Sequence, residues 1–263
     1  ACLARGLMGE KYDKEDERLK ENIKLFHDWN GQANGRITVM LGPHAPYTCS
    51  ADYLRLTADT AKELGCGIHI HLAETQQEVK DCVAKNGMTP IQFVDSLGIL
   101  DAGCLVAHGV WATEEEISLL VAKKARVAHN PQSNLKLASG IAPVEKMRQK
   151  GVVVGLGTDG ATSNNNLDML EETRLTAMLH KTVAYDPLAI PAAAAWDMAT
   201  YQGARCIGYE NLGKLEEGFL ADIVLYDMNK PYWHPRHDRL SLLVYAANAG
   251  DADTAIINGK VIM

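Results

Sequence analysis

Histidine and carboxylate side chains follow short apolar runs at several points of this chain, namely His44, His71, Glu74, His108 and Asp159. Neutral imidazoles together with a carboxylate bind Zn²⁺, which lowers the pKa of a bound water to about 7. A second carboxylate that is not a ligand can transfer protons. These residue types therefore predict metal-assisted hydrolysis. The alternative for any single histidine is a hydrogen-bonded core imidazole.

The elements that would bring these side chains together are parallel strands. Five apolar runs are predicted as strands: 37–41, 68–72, 104–107, 125–128 and 152–156. Amphipathic segments predicted as helices separate them, and their starts lie roughly 20–40 residues apart, the length of successive βαβ units. The carboxyl ends of parallel strands share one face, where α/β proteins build their sites. After residue 166 the pattern is helical to 207, and 221–226 and 254–262 are then predicted as strands of a smaller β element.

His71 and Glu74 are three residues apart, which places them on opposite faces of a continuing strand. Glu74 can reach the same site only if the chain leaves strand geometry after His71. His69 shares a face with His71 and is open to two interpretations. It is either the second member of a metal-binding pair or, as we favour, a filler one layer deeper in a barrel.

Composition excludes several classes of protein. The chain has 263 residues, a net charge of −7 and 47% hydrophobic residues, with no apolar run long enough to cross a membrane. The acidic balance disfavours a nucleic-acid partner. Six scattered cysteines predict reduced thiols and a cytoplasmic protein.

Several segments resemble the amidohydrolase superfamily, and within it the 5-methylthioadenosine/S-adenosylhomocysteine deaminases: 42–50, 69–75, 106–111, 128–144, 155–172 and 208–227. The resemblance implies an α/β fold, a distorted (β/α)₈ TIM barrel of the metal-dependent hydrolase type with a small β-sandwich. It also implies one divalent metal per subunit, zinc in the first place with Fe²⁺ or Mn²⁺ as alternatives. The implied reaction converts an adenine nucleoside to the hypoxanthine nucleoside and ammonia.

The resemblance also implies roles for the strand-end residues. His71 and Asp159 match metal ligands, and Asp159 also matches the acceptor of the proton of the attacking water. Glu74 matches the carboxylate that binds the purine ring and passes a proton to its nitrogen. His108 matches the histidine that orients the attacking oxygen, and His44 matches a contact on the ribose side of the substrate.

Arg5 and Arg18 resemble two arginines that contact the sugar or the amino-acid tail of the substrate in this family. Bidentate binding of a carboxylate by arginine fits that role. The alternative for each arginine is a solvated surface charge.

One family feature has no match in this chain. The superfamily carries an H-x-H pair of metal ligands on its first barrel strand, and nothing before His71 supplies it. The five strands match the fourth to the eighth of the barrel, so residues 1–209 are predicted as its C-terminal portion and 210–263 as part of the β-sandwich. Ala1 is then an internal position, and the enzyme needs the missing N-terminal barrel segment.

Two classes of function follow. The first is a zinc-dependent aminohydrolase acting on C–N bonds of cyclic amidines in adenine nucleosides, with guanine deaminases and chlorohydrolases as alternatives in the same superfamily. The second is a non-catalytic fragment without metal, which the missing H-x-H favours. We expect a small nucleoside as the binding partner. Whether the protein forms a homo-oligomer is left open by the sequence.

Overall fold

A computed structural model describes residues 1–263. The strands are β1 (Cys2–Leu3), β2 (Gly6–Leu7), β3 (Thr38–Val39), β4 (Gly42–Pro43), β5 (His69–Leu72), β6 (Leu105–His108), β7 (Arg126–His129), β8 (Val153–Leu156), β9 (Ile223–Tyr226), β10 (Ala252–Ile257) and β11 (Lys260–Val261). The α-helices are α1 (Glu17–Trp29), α2 (Gln32–Gly35), α3 (Ala51–Leu64), α4 (Gln76–Asn86), α5 (Pro90–Ser96), α6 (Glu114–Ala122), α7 (Pro131–Lys136), α8 (Val144–Gln149), α9 (Ala161–Asn164), α10 (Met169–Ala184), α11 (Ala192–Ala199), α12 (Tyr201–Cys206) and α13 (Arg239–Tyr245). Two 3₁₀ turns cover Pro231–Trp233 and Ala249–Asp251.

The chain divides into two compact units. Unit 1 comprises Ala1–Val127 and Ser139–Val152, and unit 2 comprises Ala128–Ala138 and Val153–Met263. The separate prediction of a barrel portion over 1–209 and a sandwich portion over 210–263 stays a prediction.

Unit 1 is built on parallel strands. β5 pairs with β6 so that His71 lies opposite Ala107. In β5 the fully buried Ile70 and Leu72 alternate with the half-buried His69 and His71, whereas all four residues of β6 are buried. β6, which is covered on both faces, reads as a continuous apolar run up to its terminal His108, whereas β5 alternates. Both patterns are typical of strands, which explains why the sequence locates them. The predicted α/β class is confirmed.

The structure adds one parallel strand segment ahead of the five predicted ones. β1 pairs with β3, and β2 pairs with β4, both in parallel. The segment is interrupted around Arg5 and consists of two-residue pieces. So short an apolar stretch carries no periodicity, which is why the sequence does not indicate it.

The helices of unit 1 begin and end where their capping residues predict. Ser50 and Thr75 accept hydrogen bonds from backbone N–H groups in the first turns of α3 and α4. Gly65 and Gly87 then end these helices in the left-handed conformation. Thr113 and Glu116 form the predicted capping box of α6.

Unit 2 contains β8, the helical segment predicted after residue 166, and a small antiparallel sheet of order β11-β10-β9. Gly157, just after β8, donates its backbone N–H to the His129 carbonyl at the end of β7. The buried indole of Trp233 forms a cluster with Leu170 and Ala247. No helix of the chain is both long enough and apolar enough to span a bilayer.

The turn between β10 and β11 has the conformation that its sequence predicts. Ile257 pairs with Lys260, so Asn258 and Gly259 are the two turn residues. Both have positive φ, 49° and 74°. A two-residue type I′ hairpin turn requires positive φ at both positions, and Asn-Gly is its preferred pair.

We expect Gly259→Ala to lower the free energy of unfolding by about 1–2 kcal/mol, because a Cβ destabilises the left-handed conformation. Gly6→Ala is the matched control, since a Cβ would meet no atom within 4 Å at either glycine and only Gly259 has positive φ. The control should stay within about 0.5 kcal/mol of the wild type. Urea denaturation of the three proteins measures both values, and equal losses would contradict the backbone argument.

Candidate functional site

His71 on β5 is held by the carbonyl oxygen of His44. That oxygen lies 2.8 Å from His71 Nδ1 and 3.0 Å from the His71 backbone nitrogen. A carbonyl only accepts, so Nδ1 of the neutral imidazole carries the proton and Nε2 keeps its lone pair. A hydrogen bond from the second ring nitrogen to a carbonyl is the usual support of a metal-binding histidine. His71 therefore has the tautomer that a metal ligand needs.

Glu74 lies close to His108 because the chain turns sharply after β5. Ala73 has φ of +51°, in the left-handed region. The turn brings Glu74 Oε2 to 3.7 Å from His108 Nε2 at the end of β6. The expectation that the chain leaves strand geometry between His71 and Glu74 is confirmed.

The second carboxylate oxygen of Glu74 is also held. Ser139 Oγ donates to Glu74 Oε1 at 3.3 Å. The carbonyl of Ser139 accepts the indole N–H of Trp111 at 2.8 Å. The serine and the tryptophan together limit the orientations open to the Glu74 side chain.

His108 lies beside His71 at the end of β6. The two rings are stacked with centroids 5.4 Å apart, and His108 is 1% exposed. His108 has φ of +72°, which is unusual for a residue with a Cβ. Backbone strain of this kind is common at functional sites.

His44 is a further histidine that lies beside His71. Its Nδ1 lies 2.9 Å from Thr48 Oγ1, and its ring centroid lies 4.9 Å from that of His71. Burial lowers the pKa of His44, and the nearby His71 lowers it further. The neutral imidazole is thus favoured. The ring of the exposed Tyr47 makes an edge contact with it.

His69 points along the same strand as His71, with ring centroids 6.3 Å apart. His69 lies two residues before His71 on β5, so the two side chains are on the same face of the strand. Its assignment as filler rather than ligand stays a prediction.

Asp159 belongs to unit 2 and follows β8. Its Oδ2 accepts hydrogen bonds from Ser133 Oγ at 2.7 Å and from Ser163 Oγ at 2.8 Å. Asp159 has φ of +59°. Two hydroxyl donors on one oxygen stabilise the ionised carboxylate, which is the form that a ligand or a proton acceptor needs.

The two serine-bearing segments are joined by the buried Glu172. This carboxylate accepts the backbone N–H of Gln132 and the side-chain amide of Asn164. The Gln132 side chain in turn donates to the Asn164 carbonyl at 2.9 Å. Burial raises the pKa of Glu172 to about 7, although the hydrogen bonds from Gln132 and Asn164 act in the opposite direction.

The two predicted substrate arginines bind groups near the start of unit 1. Arg5 Nε forms an ion pair with Glu21 Oε2 at 2.7 Å, and its side chain is 48% exposed. Arg18 Nη1 donates to the Met8 carbonyl at 2.9 Å. Their contact with substrate stays a prediction.

Four polar residues that bind Glu74 or Asp159 were not singled out from the sequence: Glu78, Ser133, Ser139 and Ser163. Serine is common in loops and carries no distinctive signal by itself. Glu78 does have a sequence signal, since it stands three residues after the helix cap Thr75 in the spacing of a capping box.

The sequence profile of the amidohydrolase family matches residues 1–262. The chain belongs to this family. The resemblance inferred from the strand-end segments is thereby confirmed.

Curated relatives in the family are closely similar. The chain is 50% identical over its whole length to a 5-methylthioadenosine/S-adenosylhomocysteine deaminase of Dictyoglomus thermophilum and covers 62% of that protein. It is 52% identical to the protein of the same name from Moorella thermoacetica and covers 61% of it. The chain therefore spans about three fifths of the length of these relatives.

Solved structures of family members have the same fold. An adenosine deaminase from Xanthomonas campestris with bound zinc superposes with a TM-score of 0.92 at 35% identity, over 98% of this chain and 59% of that one. The atrazine chlorohydrolase TrzN from Arthrobacter aurescens, complexed with zinc, gives 0.88 at 27% identity, over 100% and 61%. The predicted TIM-barrel class of the metal-dependent hydrolases is confirmed.

We expect stability to depend on pH through Glu172. Its pKa is raised from 4.5 to about 7, so the folded protein binds the extra proton between these values and stability falls as pH rises through this window. The loss is on the order of 3 kcal/mol. Glu172→Gln removes the titration, so its free energy of unfolding should change less than that of the wild type.

Urea denaturation at pH 5, 6, 7 and 8 (approximate settings around the pKa) tests this expectation. The informative quantity is the difference between wild type and variant, because other groups titrate equally in both. Parallel pH profiles for the two proteins would contradict it.

Proposed function

We propose that this chain carries the proton-transfer and metal-binding groups of a metal-dependent deaminase of adenine nucleosides. The substrates would be 5-methylthioadenosine and S-adenosylhomocysteine. The observation that carries the proposal is the placing of Glu74 beside His108 and one short turn from His71. Identity of about 50% to relatives named for this activity supports it.

The reaction replaces an amino group by an oxygen. A bond forms between a water oxygen and C6 of the purine, and the C6–N bond breaks. The water supplies protons that must reach the ring nitrogen and the departing ammonia. A carboxylate near the purine can transfer both, because it accepts a proton in one step and donates it in the next.

Glu74 would carry out this transfer. It is 15% exposed, so it is accessible to a ligand while two neighbours hold it. Ser139 binds one oxygen, and the other lies near His108, which leaves lone pairs on both oxygens for a substrate. Glu74 would hold its proton at the purine ring nitrogen, which makes C6 electrophilic.

The residues present suit a divalent metal. His71 has its Nε2 lone pair available through the Nδ1–H bond to His44, and Asp159 is an ionisable carboxylate with two hydroxyl donors. Zinc, iron and manganese all bind imidazole and carboxylate ligands. When bound, the metal supplies a nucleophilic hydroxide at neutral pH.

The remaining predicted residues would orient the reactants. His108 would hold the attacking oxygen, and Asp159 would accept its proton. His44, Arg5 and Arg18 would contact the sugar and the 5′ substituent. Arginine suits the carboxylate tail of S-adenosylhomocysteine because it can bind both oxygens at once.

A chlorohydrolase is the second candidate, because the zinc-bound TrzN has a closely similar fold. A chloride leaving group needs no proton, whereas ammonia does. Loss of the Glu74 proton should therefore affect deamination more than dechlorination.

We expect Glu74→Gln to lower kcat for 5-methylthioadenosine by about 10²- to 10⁴-fold, because an amide cannot transfer the proton. The assay follows the purine absorbance as the inosyl product forms, using the whole natural protein with zinc. Glu63→Gln is the control, since Glu63 is an exposed residue of α3 paired with Lys14. Guanine and atrazine are the comparison substrates.

Several outcomes would refute the proposed function. One is no conversion of either adenine nucleoside by the wild type. Another is an unchanged rate in Glu74→Gln. Faster turnover of guanine or atrazine than of both nucleosides would assign the chain to the alternative activities.

We expect His71→Ala to lower the zinc content per protein molecule by about tenfold or more after dialysis, since a ligand is lost. His69→Ala is the matched control from the same strand and should keep its zinc. Elemental analysis of purified proteins measures both. Equal loss in the two variants would mean that His69 also binds the metal, and equal retention would remove His71 from the ligand set.

A further inference from the structure

Two helices of unit 1 begin with the same four-residue pattern, threonine followed three residues later by glutamate. In α4 the pair is Thr75 and Glu78, and in α6 it is Thr113 and Glu116. Each threonine hydroxyl accepts the backbone N–H of its glutamate, at 3.1 and 3.2 Å. Both glutamates are buried, with 8% and 1% exposure.

The glutamate side chains differ in what they bind. Glu116 accepts the backbone N–H of Thr113 at 2.7 Å, which completes an ordinary capping box. Glu78 accepts two N–H groups that precede its cap. Its Oε1 accepts from Ala73 at 2.9 Å and its Oε2 from Glu74 at 2.7 Å.

The two hydrogen bonds act on the turn that follows β5. Ala73 has φ of +51°, a conformation that an alanine adopts only when its surroundings hold it there. Hydrogen bonds from backbone N–H groups to a carboxylate are stronger than those between neutral groups. Glu78 therefore compensates for the strain of the turn.

The direction of the Glu74 side chain depends on this turn. Its backbone nitrogen is bound by Glu78, and its carboxylate is set between Ser139 and His108. If the turn relaxed to an extended conformation, Glu74 would move to the opposite face of the strand. A displacement of about 1 Å at a reacting group can lower a rate by two orders of magnitude.

We propose that Glu78 is a positioning residue for Glu74. Its carboxylate clamps the Ala73 and Glu74 amides, and so it holds the proton-transferring side chain in the orientation that the reaction needs. This inference rests on the proposed function, in which Glu74 transfers the proton.

The test compares Glu78→Gln with Glu116→Gln in the whole natural protein with zinc. Both substitutions keep the size of the side chain, and each replaces one acceptor oxygen by a donor. We expect Glu78→Gln to lower kcat by about 10- to 100-fold with a much smaller change in KM. Glu116→Gln should keep kcat within about twofold, although its melting temperature falls.

Hydrogen exchange gives a readout that needs no activity. The amides of Ala73 and Glu74 should exchange faster in Glu78→Gln, while Glu116→Gln leaves them unchanged. Glu78→Asp keeps the charge and both acceptors, so it should recover part of the lost kcat. Glu78→Asp also serves as the test variant should Glu78→Gln fail to fold.

Two results would overturn the inference: an unchanged kcat in both Glu78 variants, or an equal loss of kcat in Glu78→Gln and Glu116→Gln. An inactive wild type, or a fully active Glu74→Gln, would instead refute the proposed function. In that case hydrogen exchange decides alone. Unchanged exchange at Ala73 and Glu74 would overturn the clamp, and faster exchange would support it.

Discussion

Left-handed backbone at the ends of parallel strands is the constraint on which the candidate site depends. Ala73, His108 and Asp159 all have positive φ although each carries a Cβ. Such conformations cost about 1–2 kcal/mol each and persist only where hydrogen bonds and packing hold them. The chain leaves its strands abruptly at these points, and each side chain turns away from the direction that a continuing strand would give it.

Polar partners compensate for this strain locally within each unit. In unit 1 the carboxylate of Glu78 binds the amides on either side of the turn at Ala73. In unit 2 two serine hydroxyls bind Asp159, and Glu172 joins the segments that bear them. Both glutamates are buried, so burial raises the pKa of each. Buried carboxylates are costly, and here they are kept where they organise backbone next to reactive groups.

The apolar strands give these turns a rigid base. Ile70 and Leu72 are fully buried on β5, and the neighbouring strand β6 is buried throughout. A close-packed interior does not deform continuously, so the strand ends stay at fixed positions. The strained residues and the hydrogen-bonded carboxylates then set the side-chain directions from this rigid base.

The sequence by itself determined the α/β class, the main strands and helices, the Asn258-Gly259 hairpin and the identity of the strand-end residues. These depend on apolar runs, caps and turn residues, which are local and periodic. Local patterns did not reveal the first strand segment, because its pieces are two residues long. Only the tertiary structure decided that Glu74 faces His108 and that Glu78 binds back across the turn. Both contacts depend on the φ of Ala73, and the first also depends on a partner from another element. Hydrogen bonds between distant segments leave no periodic signal in a sequence, whereas burial does.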